Sequence, residues 1–175
     1  MARTWLSIRV DLVEGRGICF WPRPGRVFAA ARRHSFADLA GAIDAAFARW
    51  DPSHLHLFTL ADGTLLGSDG DQPLDGVFRS DRSKLSRLTG GERFAYTFDL
   101  GDDWNHLCTV AEQGVDPFDV LGIQPRQPLA FDGWGDVPDQ YGRRWDDDPG
   151  DGPLPPDPGV EGLPPLLPHW GPRPA

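Results

Sequence analysis

Cysteine is nearly missing from this chain: Cys19 and Cys108 are the only two in 175 residues, and neither sits in a paired metal or redox spacing. That excludes a disulfide-stapled scaffold and makes a reducing compartment the simpler setting. Lysine is rarer still, with Lys84 alone among seventeen basic residues. The basic residues cluster only in short pairs such as Arg32-Arg33 and Arg143-Arg144, so no dense basic patch offers itself to a phosphate backbone. No apolar run reaches the length that spans a bilayer. Met1-Ala2-Arg3-Thr4-Trp5 has no apolar stretch behind it and no small-residue cleavage site. A signal peptide is therefore not expected, and the cytoplasm is the expected compartment. No glycine-rich phosphate loop occurs, nor any Gly-x-Ser-x-Gly, and neither cysteine has an activating partner nearby in sequence.

What is present is a core-forming composition. Apolar residues make up 39% of the chain and seven are tryptophans, too much apolar surface for a disordered polymer. The net charge of −9 is uneven. Residues 146–175 carry Asp146, Asp147, Asp148, Asp151, Asp157 and Glu161 against Arg173, which is −5 and leaves −4 for residues 1–145. The same stretch holds ten of the eighteen prolines. Two units are expected: a domain over 1–145, and an acidic, proline-rich arm over 146–175 that runs extended.

Within the domain, Leu6, Ile8, Val10 and Leu12 alternate with Trp5, Ser7, Arg9 and Asp11, the pattern of a half-buried strand. Glu14-Gly15-Arg16-Gly17 turns the chain, and extended pieces follow at 18–21 and 27–31. Ser35 and Asp38 make a capping-box-like start. Phe36, Leu39, Ala40, Ile43, Phe47 and Trp50 then form one helical stripe, stopped by Asp51-Pro52. His54 to Leu60 reads as a strand, returning through Asp62-Gly63 into Thr64-Leu65-Leu66. Residues 67–76 read as loop and 81–88 as a short helix with Leu85 and Leu88 inward. Phe94–Leu100 and Trp104–Val110 form a second hairpin around Gly101-Asp102-Asp103. A three-residue loop would pair Leu100 with Trp104 and Phe98 with His106, putting both apolar sets on one side. Residues 116–145 read as irregular and aromatic.

Three stretches carry a family resemblance: the Phe36–Trp50 helix running into His54-Leu55-His56-Leu57-Phe58; Phe94 to His106 with its Asp99-Leu100-Gly101-Asp102-Asp103-Trp104-Asn105-His106; and Pro138-Asp139-Gln140-Tyr141-Gly142-Arg143. Over residues 4–145 the chain resembles the Ri-plasmid ORF-3-like family, whose members also bear the label TnpR as insertion-element passenger proteins. The resemblance implies an α+β roll with a twisted, largely antiparallel sheet, and no particular activity. On this reading the apolar stripe of one main helix packs on that sheet. The chain departs from the family pattern at Leu39-Ala40, where many relatives have a histidine, and at Phe131–Asp136 in place of a Pro-Pro-Glu-Asp-x-Gly-Gly segment. The resolvase sense of the label is set aside, because a serine recombinase needs a basic DNA-binding end and this C-terminus is acidic.

Four features compete for a function. Asp99, Asp102, Asp103 and His106 at the hairpin tip are candidates for a divalent cation and metal-dependent hydrolysis, against the plainer reading of an Asp-rich turn. His54, His56, His106 and Cys108 are candidates for zinc, against histidines buried on an apolar face. Trp134, Tyr141, Arg143, Arg144 and Trp145 are candidates for stacking on a ligand, against aromatic cover of the sheet. Leu163-Pro164-Pro165-Leu166-Leu167-Pro168-His169-Trp170 in the arm suits docking into a groove of this chain or another. The expected function is a non-catalytic binding or adaptor module of plasmid or mobile-element type, with the metal-dependent hydrolase as the alternative. No cofactor is predicted, a divalent metal being the alternative. A protein is the expected partner rather than a membrane or, given the charge, a nucleic acid.

Overall fold

A computed structural model describes residues 4–68 and 74–141. The arm, and with it Arg143, Arg144 and Trp145, lies outside the described residues. The elements run in chain order: β1 (Trp5–Gly15), β2 (Ile18–Cys19), β3 (Gly25–Ala31), α1 (Phe36–Ala46), β4 (His56–Thr59), β5 (Leu65–Gly67), β6 (Val77–Arg79), β7 (Arg93–Phe98), β8 (Trp104–Val110), α2 (Pro117–Leu121) and β9 (Leu129–Trp134). The strands join one open nine-stranded sheet in the order β6-β5-β4-β7-β8-β1-β3-β9, with β2 hairpinned onto β1. Every pairing is antiparallel except β5 with β6. The architecture is mixed α and β, mostly sheet with few helices.

The alternation of β1 decides which side of the sheet is which. Leu6, Ile8, Val10 and Leu12 join one core with Phe28, Phe58, Phe94, Tyr96, Phe98, Trp104, Cys108 and Val110. The stripe of α1 (Phe36, Leu39, Ala40, Ile43 and Ala46) enters the same core, with the Phe36 ring edge-on to Phe58 and Phe94. Each such large side chain withdrawn from water contributes about 1.5–3 kcal/mol. Helix α1 starts as its sequence requires. Ser35 Oγ accepts from the Asp38 N–H at 3.0 Å, and Asp38 Oδ2 accepts from the Ser35 N–H at 2.7 Å.

The opposite face holds a second, smaller core. Trp5, Ala29, Ala31 and Leu121 are buried there, with Val115, Val120, Leu129 and Phe131 packed around them. Trp5, expected on the polar side of a half-buried strand, is thus 1% exposed. Helix α2, built on Asp116 as cap and Pro117 in its first turn, covers only this end of the face.

Several sequence expectations are corrected. Helix α1 ends at Ala46, because Phe47 caps it and Ala48 takes φ 57, so the chain leaves the helix before Trp50. Trp50 therefore leaves the stripe and is 48% exposed. The β7–β8 pairing is Phe98 with Trp104 and Tyr96 with His106, two residues from the expected register. The turn spans 99–103, with Asp99 at φ 59 and Asp103 at φ 51, and closes through Asp103 N–H to Asp99 O at 2.7 Å. A two-residue shift keeps every side chain on its face, so the apolar pattern cannot distinguish the two registers. Leu100 drops out of the strand and becomes exposed. Residues 81–88 hold only a short 3₁₀ helix, Leu85–Arg87, though Leu85 and Leu88 are buried as expected. Strand β9 and helix α2 lie where irregular structure was expected, and β6 falls between the expected loop and the expected short helix.

Candidate functional site

The three stretches that carry the family resemblance meet at one end of the sheet. The chain leaving α1 brings Arg49, Trp50 and Asp51, the approach to β4 brings His54, the β7–β8 turn brings Asp99, and the last described segment brings Asp139, Gln140 and Tyr141. Gln140, fully buried, clamps the first and last of these. Its Oε1 accepts from the Asp51 N–H at 2.9 Å and its Nε2 donates to Asp51 O at 3.0 Å. Trp50 Nε1 donates to Asp139 Oδ1 at 3.1 Å, and the Trp50 ring meets Tyr141 edge-on.

His54 stands at the centre. Its Nδ1 lies 3.3 Å from Asp99 Oδ2, its Nε2 touches the Tyr141 hydroxyl, and that hydroxyl donates to Asp51 Oδ2 at 2.8 Å. Two Ser53 donors, from the side chain and then the backbone, together with Tyr141, hold the Asp51 carboxyl down to about 2. Burial and then the Asp51 carboxylate push the Tyr141 phenol up to about 12. Asp99 is 8% exposed and accepts from the N–H groups of Gly101 and Asp102.

The remaining sequence candidates do not join this group. His106 faces the core, against Phe47 and Tyr96, and burial pushes its imidazole down to about 3. Its Nδ1 bonds Tyr96 O at 3.1 Å. Asp102 is half-buried and pairs with Arg16 at 2.9 Å, while Asp103 is exposed. Asp99, Asp102, Asp103 and His106 therefore do not converge, since the carboxylates sit at the turn and the imidazole points under the sheet. Asp99 finds His54 instead. The second set scatters too. His56 Nε2 bonds Ser80 Oγ at 2.8 Å, and Cys108 is buried between Val10 and Phe94 on the neighbouring strands. Among the described residues no three His, Cys, Asp or Glu side chains are grouped to hold an ion. His106 is replaced as the relevant imidazole by His54, and sequence reasoning missed Asp51 altogether. The available signal was the family stretch Pro138–Arg143, which contains Tyr141.

Trp104, beside the turn, is packed rather than presented. It is 2% exposed, stacked on Phe20 and covered by the Arg49 guanidinium at 3.9 Å. Burial lowers Arg49 to about 10, although Asp44 works against that.

A second locus lies on the face of the sheet opposite α1, beyond the reach of α2. An open groove of about 500 Å³ is lined there by Arg9, Trp21, Arg23, Arg93 and Trp134, with Asp11 beside Arg9. Trp21 is 85% exposed, under the Arg23 guanidinium at 5.9 Å. Trp134 lies across Gly25, where an added Cβ would stand 2.2 Å from its ring, and donates Nε1 to Arg23 O at 3.0 Å. Arg9 sits 4.7 Å over Trp134 and pairs with Asp11 at 2.8 Å. Trp134 and Tyr141, taken together from sequence, therefore belong to different surfaces.

An open, mostly antiparallel sheet with few helices defines the class. Within it, the chain belongs to the plasmid pRiA4b ORF-3-like family, matched over residues 22–139. Among solved structures it is similar to a protein of unknown function, MM3350 from Methanosarcina mazei Go1, at 22% identity and a TM-score of 0.58. That likeness covers 74% of this chain and 68% of the other, and it is a likeness of fold. Comparison with curated proteins gives no match. Among the described residues no helix is long and apolar enough to cross a membrane.

Proposed function

We propose that this chain is a non-catalytic binding or adaptor module of plasmid or mobile-element type, and that it takes its partner on the face of the sheet opposite α1. On this reading the sheet forms a roll over α1, which leaves the other face to the partner. The observation that carries the proposal is Trp21, a large aromatic 85% exposed at the mouth of a groove that also presents Arg23 and Arg93. Isolated exposed apolar residues are ordinary, but tryptophan and arginine together are the side chains that dominate recognition surfaces. Flat aromatic walls suit an extended, proline-bearing segment, and the guanidinium groups suit an acidic one. The chain's own residues 146–175 have both properties, with six acids and ten prolines.

The test uses a labelled peptide of the sequence 146–175, titrated into the full chain and into a variant lacking those residues. Saturable binding, weakened by salt and by Trp21→Ala or Arg93→Glu, is the expected result. Binding indifferent to both substitutions, or none in either protein, would refute the reading. A single-stranded oligonucleotide that outcompetes the peptide would transfer the groove to nucleic acid.

A further inference from the structure

The cluster around His54 gathers oxygen and nitrogen atoms of four side chains. Two carboxylates, Asp51 and Asp99, flank one imidazole and one phenol, and the nearest guanidinium at the turn, Arg16, is already paired with Asp102. Three atoms of different residues form a small triangle. Tyr141 Oη lies 2.8 Å from Asp51 Oδ2, His54 Nε2 lies 3.5 Å from the same oxygen, and Tyr141 Oη touches His54 Nε2. Ligands bound at about 2.0–2.2 Å to one first-row transition ion stand about 2.8–3.6 Å apart in octahedral or tetrahedral geometry. Two sides of the triangle already have that spacing, and an ion would have to open the third, between His54 Nε2 and Tyr141 Oη.

The surroundings supply what a metal-binding imidazole requires. Asp99 stands on the Nδ1 side of the ring, so Nε2 is the edge that faces Asp51 and Tyr141. Asp99 is itself held by the N–H groups of Gly101 and Asp102, at 3.0 and 3.3 Å. Phe98 stands edge-on to the His54 ring and Trp50 edge-on to Tyr141, fixing both planes. The side chains of His54 and Asp51 are 31% and 32% exposed, which leaves an entry path and room for water as a further ligand. A grouping of His, Cys, Asp and Glu alone does not make this site; the phenol is its third member.

We propose that Asp51, His54 and Tyr141 bind a divalent first-row transition-metal ion, with Asp99 as the positioning residue for His54. Binding exchanges the Tyr141 hydroxyl proton, and any proton on His54 Nε2, for the ion and releases them to water. The inference is independent of the groove on the opposite face.

The experiment titrates copper(II), and separately zinc(II), into the full chain carrying Cys19→Ser, which removes the exposed thiol. Calorimetry and visible absorption are read together. One ion per chain, a raised melting temperature and, with copper, a phenolate-to-metal charge-transfer band are expected. Tyr141→Phe keeps the ring contacts and should lose the band and most of the affinity. His54→Gln should abolish binding. Asp99→Asn should weaken it about 10–100-fold with the band retained. Near-UV circular dichroism of each variant in chelator establishes that it is folded. The proposal is overturned by absence of saturable binding at one ion per chain. It is equally overturned by a band that survives His54→Gln, or by unchanged affinity in folded Tyr141→Phe, which would mark a lone surface imidazole.

Discussion

Trp104 shows how one residue is held on every side. Phe20 and Arg49 cover its two faces, and the Gly15 backbone lies so close that an added Cβ would stand 2.1 Å from its ring. Trp104→Ala should cost about 3–5 kcal/mol, read from the urea midpoint. Gly15→Ala should cost about 1–3 kcal/mol by the opposite route, since the ring must move out of the new methyl's space. Asp44 provides a pH test. Burial raises its carboxyl from 3.8 to about 7, against the Tyr96 hydroxyl that donates to it at 2.7 Å. The folded state therefore holds this proton more tightly than the unfolded one. That contribution is fully present below about pH 4 and is lost as the pH rises through about 7. His56 and His106, lowered by burial to about 4 and about 3, run the other way. Their contribution is present above pH 6.5 and is lost as the pH falls. Asp44→Asn isolates the first effect, because it keeps an oxygen for Tyr96 and cannot ionise. Its stability relative to wild type should rise between about pH 4 and pH 7, and a constant difference between their urea midpoints would contradict the assignment.

Elements were legible in proportion to how local their signals are. The capping box of α1 is written in two residues, and the structure forms both bonds. Ser35→Ala should remove one of them and cost about 1 kcal/mol, with faster hydrogen exchange confined first to the opening turn of α1. The end of α1 was less legible. Asp51-Pro52 signals a stop, but the chain leaves helical geometry earlier, at Ala48, and tertiary partners capture the residues beyond it: Trp104 takes Arg49, Asp139 takes Trp50 and Gln140 takes Asp51. Hairpin register divides the same way. Side-chain period fixes the face of Phe94, Tyr96 and Phe98, but not which residue each one meets. That choice falls to a five-residue turn that holds two aspartates at positive φ.

At the scale of the molecule, the sheet has two different faces. One buries the large core with α1, while the other is covered at the Trp5 end and carries the Trp21–Trp134 groove beyond it. The arm would meet this second face on the proposed reading. Deleting residues 146–175 should then lower the melting temperature or increase binding of a dye specific for exposed apolar surface. An unchanged melting temperature, with no new dye binding, would assign the arm to an external partner instead.

The sequence by itself determined the core face of β1, β7 and β8, the start of α1, the first hairpin turn and the family, because each depends on residues close together in the chain. Tertiary structure alone decided which side chains gather around His54. The sequence grouped Asp99 with His106, whereas the structure sets it against His54, and the difference rests on a face. His106 lies on the core side of β8, whereas His54 precedes β4 and is free to turn toward the Asp99 carboxylate. Asp51 and Tyr141 stand ninety residues apart and meet only because Gln140 bonds both backbone groups of Asp51. Pairing at that separation depends on how the closing segment packs across the end of the sheet, and no periodicity of side chains encodes it.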